Sequence, residues 1–417
     1  MAHVTFYCPD RHISYDGHTP YRTGVGGGVT ARVRMANALA RAGHHVRVVA
    51  NTPRRTSITG VEYAPLDSIS SIQTDVLILN TSGDKLDLRP IRSLEVSAGL
   101  RLLWGSGVQP PAGLESIPID LVYAKSNFLL GVVTRNWGVA PQHVFVSYNG
   151  FDEPTFRRAE IKKPERDPYR LIYFSHPSKG LDAAAAVLKK LRKVEPRFHL
   201  AVFGGDGLWG CADRRSYEEA GMFYHGLVGQ ERLAEELLKS SYALSLQARE
   251  EPFGMVVTES MRAGCVVLAS AVGAYPELIR DGEDGFLIRG SHRSNAVVKQ
   301  AARTILQLHQ EPAERLRLQH RAQDLLWDSD TMAAAWAEHW NWWFQGKHTV
   351  GRRSGSSQGV CPNCQGEQLQ LVDGLHCLRC GLYTPRQELT FVQQIYERQL
   401  AYLTYGRTRK CISSTGV

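Results

Sequence analysis

Glu251 and Glu259 stand eight positions apart, with Pro252-Phe253-Gly254 between them and an unbroken run from Gly254 to Met261 that ends at Ala263-Gly264. Pro252 and the Phe-Gly pair suit a turn, and Ala263-Gly264 suits a helix stop. Glu251 therefore precedes a helix and Glu259 rides on it. The unpaired amides of a first helical turn favour phosphate or developing negative charge in front of them. A carboxylate at each end of that cradle can accept hydrogen bonds from sugar hydroxyls. Such a cradle would suit a sugar nucleotide, although two Glu residues at this spacing are common by themselves.

A second cluster is metal-like. Cys361-Pro362-Asn363-Cys364 is followed after twelve residues by Cys377-Leu378-Arg379-Cys380. Two Cys-x2-Cys knuckles at hairpin distance supply four thiolates for a tetrahedral, structural Zn2+, and so short a segment needs one to hold its shape. The other cysteines, Cys8, Cys211, Cys265 and Cys411, are scattered, which suits a reducing compartment better than a disulfide framework.

The elements that must position these residues repeat twice. Apolar runs at His3–Cys8, Val46–Asn51, Asp75–Asn80, Leu100–Gly105, Asp120–Ser126 and His143–Ser147 alternate with helical stretches and read as strands of a buried parallel sheet. After a polar stretch, Glu160–Arg166, the pattern restarts at Leu171–Ser175, His199–Gly204, Tyr242–Gln247 and Val266–Ser270. Residues 293–327 are helical in pattern, Trp336, Trp340, Trp342 and Trp343 crowd the next helix, and Gly351–Gly359 is a Gly/Ser/Arg linker. The fold class expected is α/β. It divides into two Rossmann-like domains facing a cleft (1–150 and 151–328), a crossover helix (329–347), a zinc ribbon (357–385) and a basic helical tail (386–417).

Composition excludes other classes. At 43% hydrophobic and 22% charged residues the composition is ordinary for a globular protein and indicates neither disorder nor a membrane span. No apolar run nears the roughly 20 residues of a spanning helix, and Met1–Tyr7 enters a strand without a signal peptide, so a cytoplasmic location is expected. The net charge of +8 is concentrated in two places. Residues 347–417 carry nine Lys or Arg against four acids, and residues 21–55 contain Arg22, Arg32, Arg34, Arg41, Arg47, Arg54 and Arg55 with no acid. Such a field attracts polyanions, unless other segments supply the counter-charges.

The Glu251–Glu259 block resembles the Glu-x7-Glu motif of retaining GT-B glycosyltransferases, family 4 in particular. The resemblance runs in order through Gly26-Gly27-Gly28, Asn149-Gly150-Phe151-Asp152, Ser175–Asp182, Phe203–Gly207, His225-Gly226, Gly273–Glu277 and Asp281–Phe286, covering about residues 1 to 345. It implies a nucleotide-sugar donor, UDP- or GDP-linked, and transfer with retention that needs no catalytic metal. By the same resemblance Lys179 stabilises the departing diphosphate and Glu251 meets the transferred sugar. Glu259 takes the ribose hydroxyls, and Phe253, Gly254, Met255 and Val256 present amides. Gly27 and Gly28 let the opposite domain approach the donor. Where relatives carry an arginine, Phe174 stands, and Ser175 and His176 are the candidate substitutes. Asp328-Ser329-Asp330 matches an Asp-x-Asp metal pattern but sits where a helix N-cap is expected. Leu103–Gly107 lacks the histidine many relatives place near the acceptor, and no general base is identifiable.

The ribbon, the basic stretches and the atypical acceptor side direct the acceptor reading first to a hydroxymethylated base in DNA, by analogy of fold. The alternatives are a surface polysaccharide, glycolipid or natural-product acceptor, and an inactive scaffold whose ribbon binds a protein partner.

Overall fold

The computed structural model describes residues 1–82, 87–211, 220–324, 328–345, 368–371, 374–377, 383–385 and 391–405. Its first domain is an eight-stranded sheet made of β1 (His3–Tyr7), β2 (His45–Ala50), β3 (Thr56–Ile58), β4 (Val61–Pro65), β5 (Ser71–Leu79), β6 (Glu95–Trp104), β7 (Leu121–Ala124) and β8 (Val144–Val146). The spatial order is β3-β4-β2-β1-β5-β6-β7-β8, parallel throughout except the β3–β4 pair. Helices α1 (Thr19–Arg22), α2 (Gly27–Arg41) and α3 (Asn127–Asn136) belong to this half. Helix α4 (Glu153–Ile161) leads out of it and packs on the second domain.

The second sheet is wholly parallel and ordered β11-β10-β9-β12-β13-β14: β9 (Asp167–Ser175), β10 (His199–Gly204), β11 (Met222–Gly226), β12 (Ser240–Ser245), β13 (Val266–Ser270) and β14 (Phe286–Ile288). Its helices are α5 (Leu181–Arg192), α6 (Gln230–Leu238), α7 (Met255–Arg262), α8 (Tyr275–Leu278), α9 (Asn295–Gln310) and α10 (Pro312–Gln323). Strand β1 is buried from Val4 to Tyr7 and β9 at its centre, Leu171 to Tyr173, as apolar strand segments inside a parallel sheet must be.

In each sheet the first strand in sequence is flanked on both sides, β1 by β2 and β5 and β9 by β10 and β12. Crevices open at the carboxyl ends of strands at such switch points. The loops that follow β1, β5, β6 and β7 meet those that follow β9, β10 and β12 there, in one cleft.

Helix α11 (Ser329–Phe344) returns over the first domain. Asp328 caps it by accepting from the Thr331 amide at 2.7 Å, so the Asp-x-Asp letters have a structural use, and Asp330 pairs with Arg41 at 2.6 Å. Trp336 and Trp340 are buried. Trp336 packs edge-on to Trp104 at 5.0 Å and to Tyr123 at 5.1 Å, and donates to the Ser147 hydroxyl at 2.5 Å. The four tryptophans serve packing and bind α11 to the first sheet.

The sequence assigns the C-terminal helix to a basic tail. In the structure α12 (Phe391–Tyr405) lies against β8, α3 and α11, with Val392 and Ile395 in the core of the first domain. Gln399 accepts from the Val146 amide at 3.2 Å and donates to the Val144 carbonyl at 2.7 Å. One side chain thus stands in for a neighbouring strand along the open edge of β8, which would otherwise present unpaired backbone groups. Between α11 and α12 lies a three-stranded antiparallel sheet, β15 (Gln368–Leu371), β16 (Gly374–Cys377) and β17 (Tyr383–Pro385). Cys361, Cys364 and Cys380 lie outside the described residues.

Candidate active site

The cleft encloses about 390 Å³, and all eleven residues singled out from sequence as catalytic or donor-binding line it. Gly27 and Gly28 come from the first domain. Ser175, His176, Lys179, Glu251, Phe253, Gly254, Met255, Val256 and Glu259 come from the second.

Lys179 is presented by a single 3-10 turn, Pro177–Lys179, that follows β9 and ends at Gly180. Its ammonium donates to Glu251 Oε1 at 2.5 Å. Glu251 is fixed from behind: the Ala274 amide donates to its carbonyl at 3.0 Å, and Gly273 fits so tightly that a Cβ there would lie 2.5 Å from the Glu251 backbone. Three residues on, Gly254 caps α7 with φ +105°, and a Cβ would lie 2.3 Å from the Tyr275 ring, so both the turn and its packing demand glycine. Helix α7 then begins with the amides of Met255 and Val256 at the cleft wall.

Glu259, one turn further on, is buried and reaches a partner that sequence reasoning missed. Arg34, on α2 of the opposite domain, forms an ion pair with Glu259 Oε1 at 2.6 Å and donates to Gln230 Oε1 at 2.5 Å. Burial pushes the Glu259 carboxyl above the usual carboxylate range, against the pull of that guanidinium.

His176 is heavily committed. Its ring stacks on Trp209 at 3.6 Å, Nε2 lies 3.1 Å from Asp206, and Nδ1 lies 2.7 Å from the Ser178 hydroxyl. Burial lowers its pKa despite Asp206. Both ring nitrogens face protein partners, which leaves His176 poorly placed to replace a missing arginine. Arg249, also unread from the sequence, lines the same wall and lies over the Trp209 ring at 5.8 Å. The signal was available, since Arg249 is two residues before Glu251.

The two glycines differ. A Cβ on Gly28 would lie 2.7 Å from that of Ser82, so Gly28 serves packing between the α2 start and the loop after β5. At Gly27 only the Met255 sulfur comes within 4 Å, at 3.6 Å.

The arginine stretch expected to form a cationic field is largely neutralised. Arg32 and Arg34 are buried, and Arg32, Arg34, Arg41, Arg47 and Arg55 pair with Asp10, Glu259, Asp330, Glu62 and Glu62 respectively. Those partners all lie outside residues 21–55, two of them, Glu259 and Asp330, far along the chain, which is why the stretch looks unbalanced on its own.

Residues 156–324 match the family model described as glycosyl transferases group 1. That segment holds every site residue of the second domain. Among curated relatives, the D-inositol 3-phosphate glycosyltransferase of Streptomyces scabiei is 29% identical over 193 residues, 41% of this chain and 43% of the relative. The glycogen synthase of Mycobacterium tuberculosis strain H37Rv is 29% identical over 215 residues, 49% of this chain and 50% of the relative. The chain thus spans half or less of these relatives' length. Similar solved structures include the sucrose-phosphate synthase of Thermosynechococcus elongatus (TM-score 0.59, 15% identity, 82% of this chain and 99% of that one). Anabaena HepE in complex with UDP-glucose is another (TM-score 0.55, 15% identity, 80% of this chain and 98% of that one). At such identities these establish the fold, which is GT-B. Among the described residues no helix is long and apolar enough to cross a membrane, and no group of three or more His, Cys, Asp or Glu could hold a metal ion.

Proposed function

We propose that this chain is a retaining glycosyltransferase that moves a sugar from a nucleoside diphosphate donor to a hydroxyl acceptor. The observation that carries the reading is the Lys179–Glu251 pair at the mouth of α7, with Glu259 behind it on the same helix. Lys179 and the first amides of α7 stabilise negative charge as the diphosphate departs, the moment at which preorganised donors contribute most. Glu251 takes hydroxyls of the transferred sugar and Glu259 those of the ribose. The leaving phosphate oxygen accepts the acceptor's proton as the new bond forms on the same face, so no protein base is required. Structures of similar fold bound to UDP and UDP-glucose favour a UDP-sugar donor.

The acceptor is a glycan, polyol or small molecule rather than a base in DNA. The buried and paired state of Arg32 and Arg34, with ion pairs at Arg41, Arg47 and Arg55, removes most of the cationic surface that residues 21–55 offered to DNA. The ribbon is proposed to hold a structural zinc through Cys361, Cys364, Cys377 and Cys380. Gln368 pairs with Cys377 across β15 and β16, which suits a knuckle at a hairpin end.

The test is turnover of radiolabelled UDP- and GDP-sugars by the full chain, without acceptor and with polyol, sugar phosphate and hydroxymethylcytosine-containing duplex DNA. Donor turnover lost in Glu251→Ala is expected. No turnover of any donor, or full activity in Glu251→Ala, overturns the reading; label on DNA alone restores the DNA acceptor. Zinc content near one ion per chain, lost in Cys377→Ser, tests the ribbon.

A further inference from the structure

Lys125 follows β7 and lines the cleft from the first domain, yet it is 4% exposed, and among the described residues no carboxylate forms an ion pair with it. Its ammonium donates to the Ser106 hydroxyl at 3.1 Å and sits 4.4 Å above the Trp104 ring. A buried ammonium with three donors and one hydrogen-bond acceptor is costly unless something else meets it.

The surroundings sharpen this. Ser106 also accepts from Asn80 Nδ2 at 3.0 Å, and Asn80 Oδ1 accepts from Arg32 Nε at 2.9 Å. Arg32 is fully buried, with Asp10 at 3.4 Å, while Asp10 accepts from the Ser82 amide and hydroxyl at 2.7 and 2.9 Å. Two cationic side chains thus stand behind the cleft wall with one carboxylate, Asp10, which pairs with Arg32 and not with Lys125, a positive excess in a desolvated place. Lys179 and α7, which receive the donor's phosphates in the reading above, belong to the opposite domain.

We propose that Lys125, braced by Ser106 and Asn80, reads the acceptor, and that this acceptor carries an anionic oxygen, phosphate or carboxylate, besides the hydroxyl that receives the sugar. The proposal rests on the glycosyl-transfer reading for the word acceptor but not for the anion site itself. Burial, and then the nearby Arg32 charge, lowers the Lys125 pKa to about 7. An incoming anion supplies the missing counter-charge and fixes the proton on the amine.

The experiment is calorimetric titration of the full chain, with and without saturating UDP, using glucose 6-phosphate, glucuronate and glucose as matched probes. The wild type should bind at least one anion about 10-fold or more tighter than glucose, the margin of one hydrogen bond to a charged group. The two anionic arms tell phosphate from carboxylate. Lys125→Met, close in length, should remove the preference and leave UDP affinity unchanged, while Lys179→Met should weaken UDP and keep the preference. Ser106→Ala, a milder change, should reduce it. An undiminished preference in Lys125→Met, or none in the wild type, overturns the proposal. Lys125-dependent preference without UDP binding overturns the UDP-sugar reading of the donor and leaves the anion site standing.

Discussion

Lys179 and Glu251 hold each other at 2.5 Å with side chains 22% and 14% exposed, so solvent screens the pair only in part. A bound donor must share both. Lys179→Met removes the cation aimed at the leaving diphosphate and leaves Glu251 without its partner. Steady-state turnover should fall about 10²- to 10³-fold, the usual cost of one lost charge-stabilising donor, with kcat affected more than KM. Lys125 makes a different prediction, in stability. Its pKa is lowered from 10.5 to about 7, so between those values the unfolded chain binds a proton that the native chain does not. Stability from this group therefore rises from pH 7 to 10.5 and is lowest below pH 7. Lys125→Met should flatten that rise and stabilise the protein below pH 7 by a few kcal/mol, on the order given by about 1.4 kcal/mol per pKa unit; equilibrium denaturation at pH 6 and 9.5 measures it. Glu251 with Glu259, and Lys179 in a stretch of its own, were legible in sequence because each motif is local. The Arg34–Glu259 pair and the Lys125 environment were not, because each is made by segments brought together only by the fold.

At the scale of elements, one turn decides where Lys179 points. Gly180 closes it at φ +96°, and a Cβ there would lie 1.8 Å from the Leu246 carbonyl oxygen at the end of β12. Gly180→Ala must therefore move the turn or the strand end. A drop of several degrees in Tm together with loss of transfer is expected. Gly27→Ala is the contrast. Its added methyl meets only the Met255 sulfur at 3.6 Å and lies in the first turn of α2, so stability should hold or rise while donor affinity falls. A thermal melt beside a nucleotide titration separates the two. The long central strands could be read from apolar runs because they are covered on both faces. Strands β3, β4, β11 and β14 went unread: β3 and β14 are three residues long, and β11 alternates as a sheet edge must, with Phe223 exposed. Helix α12 showed its periodicity, but nothing in its sequence says that Gln399 completes the edge of β8.

Across the whole molecule, three clusters of polar contact among the described residues join the two domains, one of them Arg34 with both Glu259 and Gln230. Ser126 donates to the Pro252 carbonyl at 2.5 Å, Arg34 reaches Glu259, and Glu277 on α8 receives the start of α3. Glu277 accepts from the Asn127 amide at 2.8 Å, the Asn127 side chain at 3.2 Å and the Phe128 amide at 2.5 Å. A carboxylate from one domain thus occupies the helix N-terminus of the other. Desolvation nonetheless outweighs these donors and raises its pKa from 4.5 to about 7. The sign follows from linkage: between pH 4.5 and 7 the closed protein binds a proton that the separated domains do not. The contribution of Glu277 to closure is complete below pH 4.5 and is lost as pH rises through 7. Hydrogen exchange at the Asn127 and Phe128 amides, corrected for the intrinsic pH dependence, should therefore show more frequent opening at pH 8 than at pH 5.5. Glu277→Gln keeps the shape and one acceptor oxygen but cannot titrate. It should make opening independent of pH over this range, at a constant cost of about 1 kcal/mol for the amide left without its oxygen. If the variant keeps the wild-type pH dependence, another group controls the interface. If neither protein depends on pH, the carboxylate is already stabilised by α3 and closure is held by the Arg34–Glu259 pair.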